Sequence, residues 1–551
     1  MIIEKSFNLN IEESIRRHWS TPALSDYGQH TMQYSDVAEG IAKIHILFEE
    51  TGIKKGDKIA LCSRNMSRWG VVFLATLTYG AVAVPILHEF HPEQIHQIVN
   101  HSEARILFLG DKIWKNLKSS EMPKLLGIVQ INDFTLLNSN DKKFAEVASS
   151  LNLYFGKHYP ANFGIDDIKY HEDEPEELAI INYTSGTTSN SKGVMIPYRA
   201  VLGNMLCAND IIGEHAKAGD AILSMLPMAH TFGMSFEFLY EFIIGVHVYF
   251  LTSIPTPTIL LKALKEIRPV ALVCVPLIIE KVVRRAVMEK IKDPKIKLLL
   301  KTPFVGRKIK DKIRQGIQEA FGGNFYEVVI GGAAMNQEVE ALLHDIGFNF
   351  TIGYGATECA PLICCEDWHK FAKGSCGKVV RDMQIKIDSR NPYDTPGEIL
   401  VSGRNVMLGY YKNPEATAET LVDGWYHTGD LGVIDRYGNL YIKGRIKNML
   451  LSSNGQNIYP EEIEDKLTNM QLVQECVVVQ REGKLVGLVY PQQDEIKKRN
   501  LDAKGIKALM EHNRKTLNTQ LAAYEQLAAI ELRDEEFEKT PKRSIKRFLY
   551  S

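Results

Sequence analysis

The run Tyr183-Thr184-Ser185-Gly186-Thr187-Thr188-Ser189-Asn190-Ser191-Lys192-Gly193 holds the residue types in this sequence that most directly suggest chemistry. Small hydroxyl residues and glycine offer backbone N–H groups and hydroxyl donors without bulk. Lys192 adds a positive charge, and the set suits a polyphosphate while it reorganises. The order is not that of a Walker loop. By composition alone, a plain surface turn and a phosphate-binding loop are equally open readings. His230 sits in Leu226-Pro227-Met228-Ala229-His230-Thr231-Phe232-Gly233, an apolar setting in which a lone histidine is ordinarily a satisfied core residue. The eight cysteines form no CxxC pair and no Cys/His run with zinc spacing, so they read as buried thiols in a reducing compartment.

These residues need elements to hold them. The apolar run LAIIN ahead of the loop reads as a strand. Residues 1 to about 170 alternate helical patterns with short apolar runs such as KIALCS and RILFLG, the rhythm of an α/β fold with a largely parallel sheet. It returns between about 200 and 360 in ALVCVPL, YEVVIGG and FNFTIGYG, which end in small residues or turns where ligands of such sheets gather. From about 385, QIKID, GEILV, NLYIKG and CVVVQ read as short antiparallel strands. A small α+β unit begins near Arg445, with helices predicted at YPEEIEDKLTNM and around residues 503 to 528.

At 551 residues the chain exceeds one compact core, which favours a large domain and a smaller one. With 45% hydrophobic and 24% charged residues and a net charge of -2, it lacks the basic excess of a nucleic-acid binder. The charged start MIIEKSFNLNIEE carries no signal-peptide pattern, and a cytoplasmic protein is expected. Trp69 to Leu87 is uncharged, yet Gly70, Tyr79-Gly80 and Pro85 divide it into a buried helix followed by a buried strand. Residues 281 to 316 hold thirteen Lys or Arg against three acidic residues. That is either a solvated helical face or a platform for anionic lipid or for phosphates.

YTSGTTSNSKG resembles the phosphate loop of the adenylate-forming (AMP-binding) superfamily. LPMAHTFG (226–233), GYGATE (353–358), GWYHTGD (424–430) and GRIKNMLLSSNGQNIYPEEIE (444–464) follow in that family's order and span most of the chain. The basic stretch and DGWYHTGDLG most resemble long-chain fatty acid–CoA ligases. The resemblance implies an α/β fold with a large N-terminal domain of layered sheets flanked by helices (1–445). A small mobile α+β C-terminal domain (446–551) would rotate about a hinge near Lys447, with Gly455 on the face used in its second pose. It implies ATP, Mg²⁺ and coenzyme A, and a fatty acid activated as an acyl-adenylate before transfer to the thiol. Transfer to a carrier protein, or a non-catalytic acyl- or nucleotide-binding relative, are the alternatives. Peripheral membrane contact and a homodimer stay open.

The resemblance also implies roles. Thr184, Ser185, Gly186, Thr187, Thr188 and Lys192 would hold phosphates. Gly332 and Ala333 would let backbone approach the adenine edge, and Tyr354 would stack on the ring. Gly355 and Thr357 belong to the same nucleotide site. Glu358 would ligate Mg²⁺ with Thr184, a sensible place for a carboxylate beside triphosphate. Asp430 would accept hydrogen bonds from the ribose hydroxyls, with Arg445 opposite. His230 would stand between adenylate and acyl pocket, the latter lined by Phe232, Gly233, Met234 and the run Phe236 through Tyr240. Ser235 and Phe236 stand where amino-acid-activating relatives carry an acid, which favours a plain carboxylic acid. Two departures stand out. Ser189 and Ser191 replace the usual Gly and Pro of the loop. Ser544 stands where relatives carry a lysine bridging carboxylate and α-phosphate, so Lys542, Arg543 or Lys546 would have to supply that charge.

Overall fold

The computed structural model describes residues 5–184, 191–253, 256–283, 300, 302–452, 456–539 and 545–550. Ser185, Gly186, Thr187, Thr188, Ser189, Gly455, Lys542, Arg543 and Ser544 lie outside the described residues, as does much of the 281–316 segment.

The first large element is an eight-stranded sheet whose centre is parallel. Its strands are buried on both faces, as the continuous apolar runs demand. Along Lys58–Cys62, Ile59 and Leu61 enter one core while Ala60 and Cys62 enter a second core on the opposite face. The uncharged stretch after it folds as expected into a helix, Ser67–Tyr79, closed by Gly80 at φ +83°, and a strand, Val82–Ile86. No helix among the described residues is long and apolar enough to cross a membrane.

A four-stranded sheet and a parallel three-stranded sheet (Leu272–Cys274, Val328–Ile330, Phe350–Ile352) complete the layered α/β body. Within ALVCVPL the strand stops at Cys274, because Pro276 opens the next helix at its first position. Between residues 380 and 445 the strands pair antiparallel. Met383–Asp388, Gly397–Gly403, Trp425–Ile434 and Leu440–Arg445 pair in one five-stranded sheet.

From Ile458 on, residues build their own apolar clusters around a three-stranded sheet, with the helices Pro460–Thr468 and Ala503–Asn518 packed on it. The second helix ends ten residues before the predicted 528. Asn518 explains why: its side chain accepts from Leu527 N–H (2.9 Å) and donates to Leu527 C=O (2.9 Å), fixing the start of the strand Leu527–Leu532. The Pro460–Thr468 helix leans on the larger body through Lys443–Glu462 (3.1 Å), while Asn448 donates to Glu461 (2.6 Å) from the segment just after Arg445. Asn336 adds a hydrogen bond to Asn469 (2.6 Å).

Candidate active site

Two paired strands flank the Thr184–Lys192 stretch. Leu178–Tyr183 and Gly193–Pro197 pair antiparallel with Tyr183 opposite Gly193, and Thr184 N–H donates to Lys192 C=O at 3.0 Å. Thr184 and Lys192 therefore stand at the two ends of one turn, both half-buried. Gly193 C=O accepts from Tyr411 N–H at 2.7 Å, which ties the turn's exit to the strand Gly409–Tyr410.

Tyr410 is the residue that the sequence reading missed. Its ring lies 4.6 Å from the Lys192 ammonium, and its hydroxyl donates to Glu358 Oε1 at 2.9 Å. Burial and the adjoining Glu358 carboxylate push the Tyr410 hydroxyl far up, so it remains a donor. One phenol thus joins two residues singled out separately in the sequence. Glu358 is held further by its own C=O, which accepts from Met407 N–H at 2.8 Å. Its Oε2 has no hydrogen bond among those between described residues. A half-buried carboxylate with one oxygen anchored and one open fits a hard divalent cation. The signal for Tyr410 was faint, because its strand is two residues long and Gly-Tyr-Tyr-Lys has no periodicity to read.

A second cluster forms around Asp430. It faces Arg445 across neighbouring strands, with Arg445 Nε 2.9 Å from Asp430 Oδ1, and Tyr354 Oη donates to Oδ2 at 2.7 Å. Burial raises the Asp430 carboxyl, while the Arg445 guanidinium and the Tyr354 hydroxyl pull it back. Desolvation drives the Tyr354 hydroxyl strongly upward, so it too stays protonated. Tyr354 precedes Gly355, Ala356, Thr357 and Glu358, so one short segment links the two clusters. A Cβ on Gly355 would lie 2.2 Å from Pro361 C=O, which only glycine avoids. Gly332 adopts φ +84° beside Ala333, and both are exposed, giving a stretch of bare backbone that a flat base can approach.

His230 opens the short helix Thr231–Met234, its N–H donating to Pro227 C=O and its C=O accepting from Met234 N–H. Phe232 packs against Gly331, where an added Cβ would come within 2.9 Å of its ring, so it adjoins the Gly332–Ala333 backbone. Gly233 and Met234 are buried. The rest of the expected channel lining divides. Phe236 meets Phe232 edge-on, with centroids 6.0 Å apart. Phe238 instead turns into the core against Gly70, Trp69, Phe242 and Phe250, because two residues along a helical run place it on the side opposite Phe236. Ser235 donates to Ala360 C=O at 3.2 Å. The acidic residue nearest in sequence, Glu237, is spent inside: its Oε2 accepts from Met225 and Leu226 N–H groups.

Lys447 is exposed within the single turn Ile446–Asn448 that follows Arg445. Lys546 is not brought to the other site residues; its ion pair is with Glu538, at 3.3 Å. Its neighbours are anchored likewise, Lys539 on Glu475 and Arg547 on the buried Glu464.

Residues 11–411 match the AMP-binding enzyme family, and residues 447–550 match the AMP-binding enzyme C-terminal domain. The chain belongs to the AMP-binding enzyme family. Among curated relatives it is 27% identical to a long-chain-fatty-acid--CoA ligase of Escherichia coli O6:H1, over 85% of this chain and 82% of that one. It is also 27% identical to a probable acyl-activating enzyme 16, chloroplastic, of Arabidopsis thaliana, over 85% and 73% of the two chains. Among solved structures, the anthranilate CoA ligase AuaEII in complex with anthranoyl-AMP superposes with a TM-score of 0.78 at 19% identity. That match covers 100% of this chain and 97% of that one. A Mycobacterium tuberculosis fatty acyl CoA synthetase gives 0.66 at 20% identity, covering 99% and 98%. At such identities the structural likeness speaks for the fold.

Proposed function

We propose that this chain is an acid–thiol ligase that activates a fatty, long-chain carboxylic acid with ATP and passes the acyl group to coenzyme A. The observation that carries the reading is the linkage of two polar clusters, Lys192–Tyr410–Glu358 and Tyr354–Asp430–Arg445, through one segment beside the apolar Phe232. A carboxylate oxygen attacks the α-phosphorus of ATP, the bond to the bridging oxygen breaks, and pyrophosphate leaves. The thiolate of coenzyme A then attacks the acyl carbon and expels AMP, so the acyl-adenylate is consumed. Activation is needed because a free carboxylate is a poor electrophile.

Each residue has a physical task. Lys192, with Thr184, Ser185, Gly186, Thr187 and Thr188, holds the phosphates; Gly332, Ala333 and Tyr354 seat the base. Asp430 accepts from the ribose hydroxyls in place of the Tyr354 hydroxyl, while Arg445 stays beside its other oxygen and favours the ionised carboxylate. Glu358 and Thr184 would hold Mg²⁺, which supplies charge neutralisation at the phosphates when bound. His230, Phe232, Gly233 and Met234 flank the acyl chain. Residues 446–551 act as the small domain, turning at Lys447 so that the two half-reactions use different faces. Lys542 or Lys546 supplies the charge absent at Ser544. Recruiting the Lys546 side chain requires breaking its pair with Glu538 as residues 446–551 turn, and surface pairs of that kind contribute about 0–1 kcal/mol.

Two measurements follow. With ATP and coenzyme A, kcat/KM is expected to rise along saturated fatty acids by roughly threefold to fourfold per methylene until the pocket is filled. Benzoate should stay well below them; a benzoate rate above every fatty acid overturns the fatty-acid reading in favour of an aryl substrate. Tyr410→Phe keeps the ring under Lys192 and removes only the hydroxyl on Glu358. It is expected to lower kcat by roughly tenfold, the scale of one hydrogen bond to a charged group, with AMP affinity unchanged. Parent-like kcat would show that the Tyr410 hydroxyl has no part in positioning Glu358.

A further inference from the structure

The turn that leads into His230 has its backbone polar groups bound one by one by buried side chains. After the strand Ala221–Ser224 the chain runs through Met225–Ala229 before the short helix Thr231–Met234. Asn65 spans the middle of this turn, donating to Leu226 C=O at 2.6 Å and accepting from Met228 N–H at 2.9 Å. Asn182, on the strand that leads to Thr184, donates to Ala229 C=O at 2.8 Å.

Glu237 closes the turn from the other side. It lies on the helical run that follows His230, and its Oε2 accepts from Met225 N–H at 3.0 Å and from Leu226 N–H at 2.9 Å. Pro227 has no N–H to offer, so this one oxygen holds both backbone donors between Ser224 and Met228. The side chain is wholly buried, and its Oε1 has no hydrogen-bond partner among the described residues. Burial, with Glu241 nearby, pushes the carboxyl well above the ordinary carboxylate range, so it stays neutral and Oε2 serves the two N–H groups. A buried acid with one oxygen unmet costs stability, and a methionine of similar volume would avoid that cost. What methionine cannot do is accept two N–H groups and hold the start of the turn.

We infer that Glu237 is a positioning residue for the proposed adenylation: it fixes the entry of the Met225–Ala229 turn and so sets where His230 stands relative to Thr184 and Lys192. This role rests on the ligase reading, whereas the clamp itself can be read without turnover.

Three variants of the full-length chain separate positioning from core filling. Glu237→Met fills the space without an acceptor. It is expected to lower kcat for acid-dependent ATP–pyrophosphate exchange by roughly a hundredfold, the scale of a small misplacement near the reacting atoms. KM for ATP and AMP affinity should stay near the parent values. Glu237→Asp draws the acceptor back by one methylene and should lose about tenfold. Glu237→Gln presents an uncharged acceptor on the same stem and should restore kcat to within about threefold of the parent. Amide hydrogen exchange over residues 225–230, read by mass spectrometry, should quicken by roughly tenfold in Glu237→Met and stay near the parent in Glu237→Gln. Parent-like kcat in Glu237→Met overturns the inference, as does parent-like amide exchange there. Equal losses of kcat and AMP affinity mark a merely structural residue and overturn it as well. If Glu237→Met does not fold, the Gln and Asp variants decide, and equal turnover by the two contradicts the role. Absence of ATP–pyrophosphate exchange in the parent refutes the ligase reading instead, and the amide-exchange contrast then decides the clamp by itself.

Discussion

Glu358→Gln is expected to lower kcat for acid-dependent pyrophosphate release by about a thousandfold, the scale of losing one charge-stabilising group at a transition state. The substitution is geometrically mild. Glutamine keeps an oxygen for the Tyr410 hydroxyl, and the backbone remains pinned by Met407 N–H at 2.8 Å. What it removes is the negative charge on the open side of the residue, which is what a divalent cation at the phosphates requires. AMP binding without metal should therefore stay near the parent value, because the base and ribose contacts centre on Tyr354 and Asp430. A kcat within tenfold of the parent would remove Glu358 from the metal role. Equal losses in turnover and metal-free AMP affinity would instead point to a damaged nucleotide site.

The second large effect concerns stability. Glu241 is wholly buried, its Oε2 has no hydrogen-bond partner, and burial pushes its carboxyl up to about 8. In the unfolded chain the same group titrates near its ordinary value of 4.5. The folded state thus holds the proton more tightly. The group's contribution to stability is fully present below about pH 4.5 and is lost as pH rises toward 8. At about 1.4 kcal/mol per pH unit, the penalty reaches a ceiling of roughly 5 kcal/mol by pH 8. Glu241→Gln is neutral at every pH, although its amide must find partners for two N–H groups. A net gain of about 2 kcal/mol at pH 8 is the expected result, falling to zero between about pH 6 and 7 and reversing to a loss of about 2 kcal/mol near pH 5. Unfolding midpoints of both proteins across that range provide the check. A gain that stays constant with pH, or grows toward acid, contradicts a buried neutral Glu241.

The sequence made the scaffold readable where one physical signal dominated. The apolar runs within KIALCS, RILFLG and LAIIN are buried strands, their shortness and their bounding polar residues and turns favouring strand over helix. Gly80 ends the helix in an uncharged stretch of spanning length as expected, while Pro85 lies within the strand that follows. The errors fall where tertiary contacts overrule local pattern. Asn518 ends its helix by bonding to a residue nine positions away, which helical periodicity cannot foresee. Phe238 reads as part of an apolar lining, yet it stands two residues beyond Phe236 on a helical run and so faces the core instead. The family and fold were legible from five ordered motifs, each weak alone. Tyr410 was not, because its importance lies in touching Lys192 and Glu358, which are far from it and from each other in sequence.

The most direct test of the central claim is ATP–pyrophosphate exchange with the full-length chain, with and without palmitate and before any coenzyme A is added. Exchange that requires both the fatty acid and Mg²⁺, followed by coenzyme A-dependent release of AMP, is the expected result. Absence of exchange with every carboxylic acid, in protein that still binds AMP, contradicts the ligase assignment and leaves a nucleotide-binding protein without adenylation chemistry.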